Sequence, residues 1–161
     1  MAFVTTTCVD WLPIFSHKSV AKLVTLKLGE VAGATHTSIV AYVVMPSHLH
    51  ALLGFQQIQE MPKFMQRFKS LTARAIKGRK GARFSKMLYS GGEFRLWKRR
   101  FDDVIIYSEE QFRIKLDYIH NNPVNAGLVG SSTDWAFSSA RDWILDEKGL
   151  IVIDKSFSWY E

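Results

Sequence analysis

His48 and His50 stand one residue apart in residues 42–55, Tyr-Val-Val-Met-Pro-Ser-His-Leu-His-Ala-Leu-Leu-Gly-Phe, where they interrupt an otherwise apolar run. If the segment after Pro46 is a strand, alternate side chains share a face, so both imidazoles project to one side. Leu49 and Leu52 are then expected on the other side, toward a core. At a rise of ~3.3 Å per residue the two histidines are roughly 6–7 Å apart at Cα, a span that one metal ion can bridge. The other reading of the pair is two ordinary polar residues on a half-exposed strand. Late in the chain, Tyr118 and Asn122 are four residues apart on an expected helix, hence on one face, about 5–6 Å from each other. A tyrosine in such a place is as readily a core residue with a tethered hydroxyl.

Charge supplies a third signal. The chain has 161 residues and a net charge of +6, but residues 61–100 hold thirteen of its 21 lysines and arginines against a single acid, Glu93. That stretch carries +12 and the remainder −6, a segregation that reads as the footprint of a polyanion, with nucleic acid as the usual partner. A solvated basic face is the alternative. Phe84, Tyr89, Phe94, Trp97 and Phe101 are interleaved with these cations. Aromatic faces beside lysines and arginines suit unstacked bases and their phosphates, and core packing accounts for a share of the five.

The elements that must position these residues follow from periodicity. Residues 2–9 are β-rich and give a first strand. Val20, Leu23, Val24, Leu28 and Val31 recur at helical spacing, predicting a helix over 17–31 that Gly33 ends. Strands are expected at 38–45 and 48–55, joined through a tight turn at Pro46 and therefore antiparallel. Pro62 opens an amphipathic helix whose apolar stripe is Phe64, Met65, Phe68, Leu71, Ala75 and Ile76. Ser108-Glu-Glu-Gln111 is a capping box for a helix that runs to 121 or 122, where Pro123 should stop it. Gly127 is expected in a turn, 134–143 as a packing segment, and 150–153 as a short last strand.

Composition bounds the rest. At 47% apolar residues the chain can bury a core, and its length suits one domain spanning 1–161. No apolar run approaches the ~18 residues of a membrane span, and Thr5–Thr7 argue against a signal peptide. A single cysteine, Cys8, fits a reducing cytoplasm.

Tyr42-Val-Val-Met-Pro-Ser-His-Leu-His-Ala-Leu-Leu53, Lys69-Ser-Leu-Thr-Ala-Arg74, Trp97-Lys-Arg-Arg-Phe101, Tyr118-Ile-His-Asn-Asn-Pro-Val-Asn-Ala-Gly-Leu-Val129 and Trp135-Ala-Phe-Ser-Ser-Ala-Arg141 together resemble the HUH single-strand (Y1) transposases, specifically the REP-associated tyrosine transposases. The resemblance spans residues 3–143. It implies an α+β fold of ferredoxin-like kind, an antiparallel sheet of four or five strands with helices packed on it. It further implies that His48, His50 and Asn122 hold Mg²⁺ or Mn²⁺ and that Tyr118 is the nucleophile. A phenol is a poor nucleophile while protonated, so a nearby cation would assist it. The implied activity is site-specific cleavage and rejoining of single-stranded DNA, at REP-type hairpins, through a 5′-phosphotyrosine link.

The expected DNA contacts are Lys63, Arg67, Lys69, Arg74, Lys77, Arg79, Lys80, Arg83, Arg95, Trp97, Lys98, Arg99 and Arg100. Ser47 departs from the family's usual Asn or Asp, which touches the turn rather than the metal. Asn125 replaces a frequent basic residue and weakens one phosphate contact. His120 lies on a different helix face from Tyr118 and is not assigned to the metal. No membrane and no small-molecule cofactor is expected, the chain acts as a monomer or homodimer, and its place is the bacterial cytoplasm, with the nucleoid. Two other readings remain: a domesticated relative that binds hairpin DNA or RNA without cutting, and another HUH nuclease such as a replication initiator or relaxase.

Overall fold

The computed structural model describes residues 1–79 and 86–158. Its regular elements are β1 (Ala2–Thr7), α1 (Lys18–Thr35), β2 (Ser38–Val44), β3 (His48–Gly54), α2 (Met61–Lys77), β4 (Tyr89–Ser90), β5 (Glu93–Phe94), β6 (Asp102–Ile105), α3 (Glu109–Asn125) and α4 (Ala140–Ile144). Four strands form one antiparallel sheet in the order β2-β3-β1-β6. A helix crosses over between β1 and β2 and another between β3 and β6, the split βαβ arrangement of ferredoxin-like folds. This is the expected α+β architecture. Among the described residues no helix is long and apolar enough to cross a membrane.

The sheet is covered on both faces. Val4, Leu49, Ala51 and Leu53 pack with Val24 and Leu28 of α1 and with Phe64, Met65 and Phe68 of α2. On the other face Phe3, Val40, Val43 and Leu52 pack with Ile119 of α3. Leu49 points away from the histidines as expected, but Leu52 does not. It shares their parity along β3, and it fills the cluster beneath α3.

Several boundaries differ from expectation for local reasons. Helix α1 runs through Gly33 to Thr35 and ends where His36 adopts a left-handed φ of 51°, its N–H donating to the Ala32 carbonyl. A Cβ at Gly33 would meet nothing, so glycine there marks neither a close approach nor a cap. Helix α3 is capped by Ser108, whose Oγ accepts from Gln111 N at 3.1 Å. The Gln111 side chain reaches back to Tyr107 N, one residue before the cap. The helix continues past Pro123 to Asn125, because one missing N–H leaves only the Ile119 carbonyl without its helical donor. Gly127, at φ 70°, then closes it: Gly127 N donates to Val124 O and Leu128 N to Pro123 O, both at 2.9 Å. Asn122 therefore sits inside the helix rather than at its frayed end.

The exposed edge of β2 is occupied by the late chain. Val44 N donates to Phe137 O at 2.8 Å, Ser139 N to Tyr42 O at 3.0 Å and Tyr42 N to Ser139 Oγ at 2.9 Å. The indoles of Trp135 and Trp143 donate to Val44 O and Val40 O. Residues 134–143 thus do pack, and they keep the edge from templating another strand. Residues 150–153 form no strand; the chain beyond them is tied to β2 by Asp154 N to Ile39 O and by Ser38 Oγ to Asp154 Oδ2. The β4–β5 hairpin, turning on Gly91 and Gly92 at positive φ, was not foreseen.

Candidate active site

Register does most of the positioning. Met45, Pro46 and Ser47 form the three-residue connection between β2 and β3, with Met45 N donating to His48 O. On the neighbouring strand Thr7 pairs with His48 and Thr5 with His50, so the hydroxyl of Thr5 lies beside the second imidazole. Thr5 Oγ1 is 2.7 Å from His50 Nδ1, and Ser47 Oγ is 3.2 Å from His48 Nδ1. Each ring has a hydroxyl at Nδ1, which fixes its orientation and directs Nε2 outward. Ser47 therefore bears on a histidine as well as on the turn.

Tyr118, from α3, closes the arrangement. Its hydroxyl is 3.5 Å from His50 Nε2, and the residue remains 45% exposed. The rings touch in sequence: Trp11 lies 5.9 Å from His48, His48 4.7 Å from His50, and His50 5.1 Å from Tyr118, all edge to face. Phe3 stacks on His50 at 5.4 Å and 17° and meets the Tyr118 ring edge-on at 5.9 Å. The Lys115 ammonium sits 4.6 Å from the Phe3 ring centre and 5.8 Å from that of Tyr118.

Burial lowers the pKa of both imidazoles. For His50 desolvation leads, and His48 and the Lys115 ammonium add to it, bringing the value down to about 3. Both rings are therefore neutral near pH 7, and the neutral imidazole is the form that binds metal. Two neutral donors with their far nitrogens already committed suit a divalent ion. Among the described residues no three of His, Cys, Asp and Glu gather as a metal cluster, so a third protein ligand would be an amide such as Asn122. That residue is half-buried, one turn beyond Tyr118. His120 is elsewhere: it is buried with Nε2 3.0 Å from Ser139 Oγ, and burial pushes its pKa down to about 4 against a small opposing pull from Asp117.

The basic surface divides. Lys63, Arg67, Arg74, Lys77, Arg79, Arg95, Lys98, Arg99 and Arg100 are exposed. Lys80, Arg83 and the aromatic Phe84 lie outside the described residues. Lys69 is turned inward: its ammonium donates to the carbonyls of Lys98, Arg99 and Arg100 at 2.6, 3.0 and 3.5 Å. A group spending its donors on three carbonyls braces the loop rather than meeting phosphate. Trp97 is 8% exposed and donates to Thr72 Oγ1 at 2.8 Å. Its faces contact Phe15 and Phe68, so it belongs to the core and offers no platform to a base. Phe94 and Phe101 also pack against the core, whereas Tyr89 is 46% exposed.

Phe3, Thr5, Trp11 and Lys115 were missed by sequence reasoning. Lys115 is three residues before Tyr118 and so on its face, a signal that helix periodicity carries. Phe3 and Thr5 share parity on β1, but nothing short of the β1–β3 register sets them beside His50.

Comparison with known proteins bears on the family and the fold. The model of the IS200-like transposase family matches residues 11–122. A REP-associated tyrosine transposase of Escherichia coli K12 is 32% identical over 114 residues, 71% of this chain and 59% of that protein, so the chain spans less than two thirds of that relative. The solved structure of a REP-associated tyrosine transposase bound to a REP hairpin superposes with a TM-score of 0.68 at 21% identity, over 98% of this chain and 88% of the other.

Proposed function

The chain belongs to the IS200-like transposase family, and from that premise we propose that it cuts and rejoins single-stranded DNA at hairpins of REP type, with Tyr118 as nucleophile. The observation that carries this reading is the 3.5 Å approach of the Tyr118 hydroxyl to Nε2 of His50, one of two adjacent neutral imidazoles. We read residues 1–161 as one nuclease domain.

Tyr118 Oη attacks the scissile phosphorus and its proton passes to water, which the residue's exposure admits. The bond from phosphorus to the 3′-oxygen breaks, and that oxygen takes a proton from water to leave as a free 3′-hydroxyl. The product is a 5′-phosphotyrosine that keeps a phosphodiester's free energy, so attack by a 3′-hydroxyl rejoins strands without a nucleotide cofactor. His48, His50 and Asn122 are the residues that would hold Mg²⁺ or Mn²⁺. When bound, such an ion supplies charge neutralisation at the non-bridging phosphate oxygens and orients the bond. Thr5 and Ser47 hold the imidazoles in register, Phe3 walls His50 from water, and Lys115 brings a positive charge beside the attacking phenol. The exposed lysines and arginines of α2 and of 95–100 bind the DNA backbone, a contact that positions without reading sequence.

The test is a denaturing gel of the protein incubated with labelled hairpin DNA and Mn²⁺. A covalent band that forms with the parent and with Tyr107→Phe but not with Tyr118→Phe is expected. Equal adduct from Tyr118→Phe would remove the assignment, and tight binding with no adduct from the parent would leave a hairpin-binding protein.

A further inference from the structure

Trp11 is a large aromatic residue held in the open at the edge of the site. It is 57% exposed, and its ring lies against His48 at 5.9 Å with the Lys98 ammonium 4.5 Å from its centre. Both Trp11 and the preceding Asp10 adopt left-handed φ values, 56° and 51°, a conformation bulky residues avoid. The surrounding backbone enforces it. Cys8 N donates to Ser47 O and Phe15 N to Pro46 O, tying both ends of the loop to the histidine turn. Val9 N donates to Leu96 O, and Lys98 N to Thr7 O, joining the loop's base to the stretch that carries Lys98. Lys69 braces that stretch from behind through the 98–100 carbonyls. An indole that only filled space would be buried; this one is fixed and presented.

We propose that Trp11 and Lys98 form a nucleotide subsite, the indole stacking on the base whose sugar carries the leaving 3′-oxygen and Lys98 meeting its phosphate. The proposal rests on the nuclease reading above. In-line displacement puts the leaving oxygen on the side of the phosphorus away from the nucleophile. Tyr118 and Trp11 stand at opposite ends of the succession Tyr118, His50, His48, Trp11, so the nucleotide on the leaving side falls toward the indole. Aromatic stacking with a neighbouring cation suits a single-stranded base of any identity. Retention of that nucleotide after cleavage keeps the 3′-hydroxyl in place for rejoining.

Binding without chemistry tests this. The full chain, in EDTA, is titrated by fluorescence anisotropy against a labelled REP-type hairpin and a set of the same probe with one abasic position moved through its single-stranded flank. The parent and Trp11→Phe should lose about tenfold in affinity at one abasic position, and Trp11→Leu should show less than a twofold difference there. That position should map to the 5′ side of the bond cut in the adduct assay. A Trp11→Leu chain that keeps the tenfold dependence, a parent with no base-dependent position, or a position mapping elsewhere overturns the subsite. Because the readout needs no cleavage, loss of the subsite leaves the nuclease reading standing, and a parent that forms no adduct leaves the stacking measurement valid.

Discussion

The two faces of the sheet are built from the same strands and end in opposite conditions. Beneath α1 and α2 the alternate positions are Val4, Leu49, Ala51 and Leu53, all at 1% exposure or less, and the helices seal them. On the α3 face the alternate positions are Phe3, Thr5, His48, His50 and Leu52, and the covering helix leaves Tyr118 45% open. The sealed face needs only volume and apolarity, so many sequences would serve it. On the open face the residues that pack are the residues that orient: Phe3 is both a wall of the cluster and the stacking partner of His50. A polar Thr5 in the middle of a sheet is explained by the one nitrogen it meets.

If that division is correct, changes on the open face remove activity and spare the fold, and changes on the sealed face do the reverse. The largest effect is expected from Tyr118→Phe, which should abolish the covalent adduct while leaving the thermal midpoint within a few degrees. His50→Ala should come next, with cleavage lowered by more than about a thousandfold. Hairpin affinity should fall less than about threefold, because backbone contacts come from lysine and arginine. Phe68→Ala, at 0% exposure on the sealed face, should cost about 3–5 kcal/mol in a denaturant titration. Its cleavage rate per folded molecule should be unchanged. A Phe68→Ala chain that is folded yet cannot cut would show the faces to be coupled and would break the comparison.

The sealed face, the first three strands of the sheet and the three long helices were legible because they depend on periodicity, whereas β6, the sheet's fourth strand, was not foreseen. The apolar stripe of α2 and the alternation in β3 identify their buried sides directly, with Leu52 misread only through a slip of parity. His48 and His50 stood out by residue type and spacing and Tyr118 by the family resemblance, and the three side chains lie together. What escaped was whatever depends on register between strands distant in sequence: that Thr5 faces His50, that Phe3 stacks on it, that Trp11 is bent toward His48. Trp97 and Lys69 were misplaced for a related reason. Residues 61–100 look uniformly basic and aromatic, and composition cannot tell an indole donating to Thr72 from one lying on the surface. Pro123 misled locally, since the burial of Ile119 holds the helix against the cost of the proline.

A subtler change sharpens the same contrast. Thr5→Val keeps the volume but removes the oxygen at His50 Nδ1, so the ring loses its orientation while the sheet stays packed. Divalent-ion affinity, read by calorimetry, should fall about 10- to 100-fold, with the adduct restored at high Mn²⁺. Thr6→Val should not alter ion affinity, since Thr6 Oγ1 is buried on β1 with no partner among the described residues and lies one residue out of register. Equal losses from both would mean that the effect belongs to the strand and not to the imidazole.

The smallest effect is on stability against pH, and it too should divide by face. His120 lies on the α3 side with its pKa held down to about 4 by burial, whereas in the unfolded chain a histidine titrates near 6.5. Above pH 6.5 both states are neutral there and His120 makes stability independent of pH. As the pH falls from 6.5 toward 4 the unfolded state takes up the proton first, so stability declines, and below 4 the decline from this group ends. Its size is on the order of 3 kcal/mol. His120→Gln should flatten part of that slope in denaturation series run between pH 7 and 4. Phe68→Ala should instead lower the whole curve without changing its slope, because the side chain it removes does not titrate. A slope untouched by His120→Gln would place the acid sensitivity with His48 and His50, which titrate in the same direction, and saturating divalent ion should then steepen the decline, since protons compete for its ligands.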